Sequence, residues 1–323
     1  MRKRDLMLGA AGALALPFAL PAARAAEFPD HPVRVIVPFP PGGSTDIVAR
    51  VVCERLGARW RQPVVIENRG GAGTIVGSQV VARATPDGHT LGFVISAHTI
   101  NPAIRNDLPY DTLRDFAAVS QVARAHVVIC ATPSLPASDL AAMVALSKQR
   151  PEGLSFATPG IGTVMHMIME MLAGVSGAQL THVPYQGGAP ALTDAMQGRV
   201  PLILDTWHAL RPHVEAGRLK VIAGASGEPI PGAPQVPIIA KDYPGFSAYS
   251  VIGLAAPAAT PKALVDQIAA DIRATVLAPE NAAKLAELGV EPVGSSPAEF
   301  RALVESEITR WKQVVKDRNI TAM

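Results

Sequence analysis

The sequence predicts an α/β fold with two lobes, each a mostly parallel sheet flanked by helices. Short apolar runs alternate with helical patterns along residues 35–95 and again along residues 154–224, and such alternation is typical of parallel sheets. A glycine-rich loop precedes a helix in each stretch. Apolar extended runs at 124–131 and 249–256 suit a chain that crosses between two lobes and returns through a hinge. The predicted lobes are residues 26–126 with 253–323 and residues 127–252.

The first lobe starts with a strand (35–37), a Pro/Gly loop (38–46) and a helix. The apolar residues of this helix fall on one face: Ile47, Val48, Val51, Val52 and Leu56. A strand at 63–67, a second glycine loop at 68–74 and a helix at 75–83 follow, and a third strand covers 91–95. Residues 100–120 contain Asn101-Pro102 and Leu108-Pro109, so we expect them to be irregular.

The second lobe repeats this order of elements. A long β run at 119–131 leads to a helix at 138–149 and a strand at 154–158. A third glycine loop, 159–163, then precedes a methionine-rich helix. Three further strands are predicted at 180–185, 200–205 and 219–224, with helices at 190–197 and 210–216. The last helix begins at the capping-box sequence Ser296-Pro297-Ala298-Glu299 and ends near residue 318.

The glycine loops are candidate anion sites. A loop that leads into a helix leaves backbone N–H groups facing open space, and the positive end of the helix dipole adds to their attraction for anions. Ligands of open α/β sheets bind beyond the carboxyl ends of the strands, where these loops lie. Taken alone, the loop at 38–46 also fits an ordinary strand-to-helix turn, so its function depends on the rest of the chain.

The first residues of the chain predict export. Arg2, Lys3 and Arg4 precede an apolar run at 6–20 and an Ala23-Arg24-Ala25 cleavage site, which predicts a signal peptide over residues 1–25. The net charge of +2 does not favour a nucleic-acid partner.

Cys53 and Cys130 could pair in an exported protein, but nothing in their spacing requires it, and two buried free thiols are the favoured interpretation.

Catalytic motifs are absent from the sequence. It contains no G-x-x-x-x-G-K-[ST], no G-x-S-x-G and no H-E-x-x-H. His166 and Glu170 share a helix face and could ligate a metal, although no third ligand is identifiable and a plain helix pair is favoured. His98 is either a cleft contact or a structural hydrogen bonder. Asp46 and Asp205 either cap local structure or hold a ligand amine or a water.

Several motifs resemble those of one family, in the same order across essentially the whole mature chain. They are 35–50 (VIVPFPPGGSTDIVAR), 67–74 (ENRGGAGT), 86–91 (PDGHTL), 108–111 (LPYD) with Asp115-Phe116, 160–166 (GIGTVMH), 182–187 (HVPYQG) and 256–261 (APAATP). This set resembles the Bug proteins, which are the substrate-binding proteins of tripartite tricarboxylate transporters. Gly70 and Gln186 depart from the usual Pro and Lys.

The resemblance implies a type II periplasmic binding protein, a Venus flytrap in which two loops hold a small carboxylate. Backbone N–H groups and waters, rather than an arginine, are expected to bind the carboxylate, and Asp205 matches a cleft aspartate of amino-acid-binding members. The expected ligand-binding residues are Phe39, Pro41, Gly42, Gly43, Ser44, Thr45, Asp46, Ser96, His98, Thr158, Gly160, Ile161, Gly162, Thr163, Tyr185 and Asp205.

The resulting hypothesis is a periplasmic receptor for an organic acid or an acidic, amino-acid-like ligand. It implies no catalysis, no cofactor and a monomeric chain that delivers its ligand to membrane subunits of a tripartite tricarboxylate-type transporter. Two alternatives remain open. One is an exported metal-dependent enzyme that uses His166 and Glu170, and the other is a binding protein that presents its ligand to a sensor.

Overall fold

Two β-sheets, one of six strands and one of five, organise the computed structural model. The structure describes residues 28–42 and 44–320, so the predicted signal peptide lies outside the described residues. The strands are β1 (Val33–Val37), β2 (Val64–Asn68), β3 (Thr90–Ile95), β4 (Phe116–Ala125), β5 (Val127–Ala131), β6 (Leu154–Thr158), β7 (Leu180–Pro184), β8 (Leu202–Thr206), β9 (Lys220–Gly224), β10 (Ser250–Pro257) and β11 (Val290–Pro292).

Helices follow most of these strands. They are α1 (Ser44–Trp60), α2 (Ile75–Ala82), α3 (Ala97–Ile104), α4 (Leu140–Gln149), α5 (Val164–Ser176), α6 (Gly188–Met196), α7 (Trp207–Glu215), α8 (Lys262–Val276), α9 (Pro279–Glu287) and α10 (Pro297–Asp317). No helix in the described ranges is both long and apolar enough to cross a membrane.

Each sheet contains four strands that run in one direction. The first sheet has the order β11-β4-β10-β3-β1-β2, in which only β10 and β11 run against the other four. The second has the order β7-β6-β8-β5-β9, in which β5 alone is reversed. The predicted α/β fold with two mostly parallel sheets is therefore confirmed.

Apolar side chains cover both faces of each sheet, as expected for strands that lie between two layers of helices. In β5, Val127 and Ile129 pack towards α4 and α5, whereas Val128 and Cys130 face the opposite cluster. Cys53 packs in a core of the first lobe, and both cysteines are buried and unpaired. The interpretation of two free thiols is therefore confirmed.

The chain crosses between the sheets at two points. His126 alone separates β4 of the first sheet from β5 of the second, so the long β run predicted at 119–131 is two strands. The return is β10, which pairs with the first sheet from Ser250 onwards. The predicted capping box is present, since Ser296 and Glu299 exchange hydrogen bonds at the start of α10.

Helix α10 contacts the cores of both lobes. Phe300, Val304 and Ile308 pack on the first sheet, and Trp311 is fully buried in the core of the second lobe. The helix approaches β10 so closely that a Cβ on Gly253 would lie 2.2 Å from the Phe300 ring. Only glycine fits there.

The segment predicted to be irregular contains a helix, which corrects that prediction. Pro102 lies inside α3 and cannot donate to the carbonyl of His98, four residues earlier. The hydroxyl of Thr112 donates to that carbonyl instead, at 3.2 Å. A side chain ten residues further along the chain thus satisfies the acceptor that proline leaves open. A local sequence pattern gives no sign of this compensation.

Candidate functional site

A cleft of about 780 Å³ lies between the two lobes at the carboxyl ends of their parallel strands. Both lobes contribute to its lining. Nine of the predicted ligand-binding residues lie on this surface: Phe39, Pro41, Gly42, Thr45, Ser96, Ile161, Gly162, Thr163 and Asp205. The structure thus brings the two predicted loops together across one cavity.

Six helices begin at this cleft. The lining includes Thr45 of α1, Ala97 of α3, Val164 of α5, Gly188 of α6 and His208 of α7, together with Thr74 immediately before α2. The first turn of a helix carries free N–H groups and the positive end of the dipole. Six such ends outnumber the two helix C-termini at the same cavity, those of α3 and α9, and make it a favourable environment for an anion.

The loop of the second lobe is held by its own hydrogen bonds. Thr163 caps α5 by accepting from the N–H of His166, and its hydroxyl donates to the carbonyl of Gly160. The N–H of Gly160 donates to the hydroxyl of Thr158, and the N–H of Gly162 to Nδ1 of His166. Most amides predicted to bind the ligand therefore already have partners. Positive φ angles of 151° and 71° explain the glycines at 160 and 162.

Other amides of this loop remain open. Among the described residues, the N–H groups of Ile161, Val164 and Met165 have no hydrogen-bond partner, and all three residues line the cleft. Val164 and Met165 are the first two residues of α5, where the helix itself provides no acceptor. The three open N–H groups are donors that a ligand carboxylate can use; Ile161 was among the predicted residues, whereas Val164 and Met165 were not.

Asp46 is internal to the loop of the first lobe rather than part of the cleft surface. Its carboxylate is 1% exposed and accepts from the Gly42 N–H at 2.9 Å, from Arg50 Nε at 2.8 Å and from Asn68 Nδ2 at 2.8 Å. Burial opposes ionisation, but these hydrogen bonds outweigh it and lower the pKa of Asp46 to about 2. Asp46 therefore fixes the turn, and the Gly42 N–H is not free for a ligand.

Asp205 is the one acidic side chain in the cleft lining of the described chain. One carboxylate oxygen accepts from the N–H of Thr206 at 2.7 Å. The other lies 2.6 Å from where a Cβ on Gly188 would sit, so glycine at 188 leaves space beside it. Burial raises the pKa of Asp205 to about 6, against the opposing hydrogen bond from Thr206.

Two predicted residues lie outside the cleft because of local geometry. Helix α3 presents Ala97, Asn101 and Ile104 to the cavity, and a residue one position on is rotated by about 100°. His98 therefore points into the core against Phe116, where burial lowers its pKa to about 4. The hydroxyl of Tyr185 donates to Asp194 at 2.8 Å.

Thr158 is fully buried beneath the loop, where its hydroxyl lies 2.6 Å from Nε2 of His182. Ser44 is the first residue of α1. Gly43 lies outside the described residues.

His166 and Glu170 do not form a metal site in the structure. The His166 ring stacks on His182 with centroids 3.9 Å apart, and Glu170 accepts from Arg318 Nε at 3.0 Å. No third ligand joins them within the described ranges, where the one group of three potential ligands is Asp30, His31 and His89, which lie elsewhere. The pair instead supports the loop through the bond from Gly162 to His166.

Arg105 is a cleft residue that the sequence analysis missed. It follows α3 directly and is the single lysine or arginine in the cleft lining of the described part of the chain. Its position is not signalled by any glycine loop, because it reaches the cavity from the far end of a helix. Pro102, two residues before the end of α3, concealed that helix in the sequence.

Comparisons with known proteins agree with this architecture. A family model described as the tripartite tricarboxylate transporter family receptor matches residues 48–320. Protein BugT of Bordetella pertussis is 32% identical over 293 residues, which cover 90% of this chain and 90% of that protein.

Two solved structures share the two-lobed fold. Rpa4515 of R. palustris, solved with adipate, is 32% identical with a TM-score of 0.82, and the match covers 92% of this chain and 100% of that one. MatC (Rpa3494) of Rhodopseudomonas palustris, solved with bound malate, is 32% identical with a TM-score of 0.76, and the match covers 89% and 100%.

Proposed function

The chain belongs to the family of tripartite tricarboxylate transporter receptors, and we propose that it is a periplasmic receptor that captures a small carboxylate between its lobes. The observation that carries this proposal is the convergence of six helix N-termini on one interlobe cleft. The free N–H groups of Ile161, Val164 and Met165 supply hydrogen bonds for the carboxylate. The adipate and malate held by two similar proteins support the same ligand class.

The lobes close on the ligand in this proposal. The cleft loops of the two lobes bind opposite sides of the ligand, so the closed form gains contacts that the open form lacks. The proposed lobes are residues 26–126 with 253–323 and residues 127–252, joined at the crossings beside His126 and at the start of β10. The delivery of the ligand to transporter membrane subunits, after export through the signal peptide, belongs to the same proposal.

Thermal unfolding of the mature chain against a panel of organic acids tests this function. We expect at least one acid to raise the melting temperature, since a ligand that binds only the folded form stabilises it by mass action. The matched control for each acid is its primary amide, which has a similar shape and no charge. If no acid raises the melting temperature above its amide, and native mass spectrometry finds no bound organic acid, the proposal fails.

An alternative partner is a sensor protein rather than a transporter. Both partners would recognise the closed form of the receptor, so ligand binding alone does not separate them. Pull-down of the liganded chain by membrane subunits of a tripartite tricarboxylate-type transporter, compared with the unliganded chain, distinguishes the two. Capture by a sensor protein instead would replace the transporter as the proposed partner and would leave the proposed ligand class unchanged.

A further inference from the structure

Arg105 is the one cation without an acidic partner in the cleft lining, among the residues that the structure describes. In the described part of the chain, no carboxylate lies within 4.0 Å of its guanidinium. Four other half-buried arginines each pair with a carboxylate: Arg124, Arg301, Arg310 and Arg318. An unpaired guanidinium at a ligand cleft is an available binding group.

The burial of Arg105 makes its lack of a partner costly. Its Nε atom is buried and has no hydrogen-bond partner, although buried polar groups are nearly always paired. The side chain is half-buried beside Gly73, with Nη2 4.0 Å from where a Cβ on that glycine would sit. The φ angle of 62° at Gly73 accounts for that glycine by itself. The buried, unpaired Nε of Arg105 is explained if a ligand anion completes the site.

The position of Arg105 separates it from the open amides. The free N–H groups of Val164 and Met165 belong to the second lobe, whereas Arg105 and Gly73 belong to the first. Ile104, the neighbour of Arg105, meets the second lobe at Gly162, where an added Cβ would lie 2.5 Å from its side chain. One ligand between the lobes can therefore reach both binding groups.

We infer that Arg105 binds a second carboxylate, so that the natural ligand is a small dicarboxylate held by amides at one end and by Arg105 at the other. This inference rests on the proposed function, because it assumes that a carboxylate occupies the amide end. It replaces the expectation that no arginine takes part. A guanidinium fits a carboxylate through two parallel hydrogen bonds, which gives recognition of the second acid group.

Paired ligands test this inference in the mature chain. Each linear dicarboxylate of three to eight carbons is titrated calorimetrically beside the monocarboxylate of the same length, for example adipate beside hexanoate. We expect Arg105→Gln to weaken the best dicarboxylate about 10- to 100-fold, as for loss of a charged hydrogen-bonding partner, and to leave the monocarboxylate unchanged. Arg105→Lys, which keeps the charge but not the paired geometry, should restore part of the loss.

Arg114→Gln is the matched control. Arg114 lies on the same segment outside the cleft lining and pairs with Asp115 at 2.8 Å, so this change removes one positive charge from the same lobe. We expect it to bind dicarboxylates as the unaltered chain does. Circular dichroism and melting temperature establish that Arg105→Gln is folded, and Arg105→Lys gives an independent measurement if it is not.

The outcomes are distinct. If Arg105→Gln weakens the affinities for dicarboxylate and monocarboxylate equally, or weakens neither, the role of Arg105 is overturned and the proposed carboxylate receptor stands. If Arg114→Gln loses as much affinity for the dicarboxylate, the effect is general charge attraction, and the role of Arg105 is again overturned. If the unaltered chain binds monocarboxylates but no dicarboxylate better, the ligand class is wrong. If it binds no acid of either series, the proposed function itself fails.

Discussion

Replacing Asp205 with Asn should change how the affinity for a dicarboxylate depends on pH. Asp205 faces the cleft with one oxygen unpaired, and burial raises its pKa to about 6. A ligand carboxylate placed beside it favours the protonated acid, because two neighbouring carboxylates resist joint ionisation. Protonated Asp205 also donates its O–H to the ligand. Binding should therefore take up a proton above pH 6.

The size of the effect follows from the pKa. Below pH 6 the acid is already protonated and affinity is constant. Above pH 6 each further unit costs about 1.4 kcal/mol, so affinity for adipate should fall by about 75-fold between roughly pH 6.5 and about 8.5. Water in the cleft screens the interaction, which makes this figure an upper bound. Both carboxyl groups of the ligand stay ionised throughout this range, so the change reports on the protein.

Isothermal titration calorimetry at constant ionic strength measures this directly. Repeating the titration at pH 7.5 in buffers of different ionisation enthalpy should give uptake of close to one proton per adipate. Asp205→Asn should remove both the slope and the proton uptake, whereas Asp194→Asn, which alters an acid paired with Tyr185 and Arg199 away from the cleft, should keep them. A flat profile for the unaltered chain, or a slope that survives Asp205→Asn, refutes the reasoning. Affinity for adipate that rises with pH refutes it as well, since ionised Asp205 would then not oppose the ligand.

Three further predictions concern stability. Burial, together with the nearby His166, lowers the pKa of His182 to about 3, so its contribution is complete above the unfolded value of 6.5 and is lost as the pH falls towards 3. Urea unfolding should show a loss of at most about 2 kcal/mol between pH 7.5 and pH 5, and a shallower loss in His182→Gln; identical profiles contradict this. Asp46→Asn should destabilise the chain by about 1–3 kcal/mol and weaken ligand binding, because an amide has one acceptor oxygen where the carboxylate uses two and carries no charge to pair with Arg50; an unchanged melting temperature would show that the Asp46 carboxylate is not needed. Burial raises the thiol pKa of Cys53 and Cys130 to about 12, so a thiol reagent should label both only after unfolding, and reductant should not alter the melting temperature.

The sequence predicted the fold well where the pattern was local and periodic. Alternating strands and helices, the glycine loops and the α10 capping box all depend on neighbours within a few residues, and the structure has them nearly as expected. Helix α3 was missed because Pro102 is normally a helix breaker, and its missing bond is replaced by Thr112, which is distant in sequence. The split between β4 and β5 was missed because one residue, His126, carries the chain between sheets.

The sequence predicted which loops form the site, but not which atoms of those loops are free to bind a ligand. The two loops do face one cleft, but the amides of Gly42, Gly160 and Gly162 are occupied by Asp46, Thr158 and His166. Sequence shows which residues permit a turn, whereas the direction of each N–H depends on hydrogen bonds made after folding. Arg105 was invisible for a related reason. It reaches the cleft from the end of α3, a helix that Pro102 conceals in the sequence.

The order of strands in the first sheet has a consequence for how the chain folds. Strand β4 lies between β10 and β11, and β10 follows it by more than a hundred residues. All five strands of the second sheet, in contrast, come from the continuous stretch between these two partners. Closing a long loop costs entropy before the distant pairing is gained. The second lobe can thus complete its sheet while the first still lacks its central strand, and a chain emerging into a new compartment would assemble from its middle outwards.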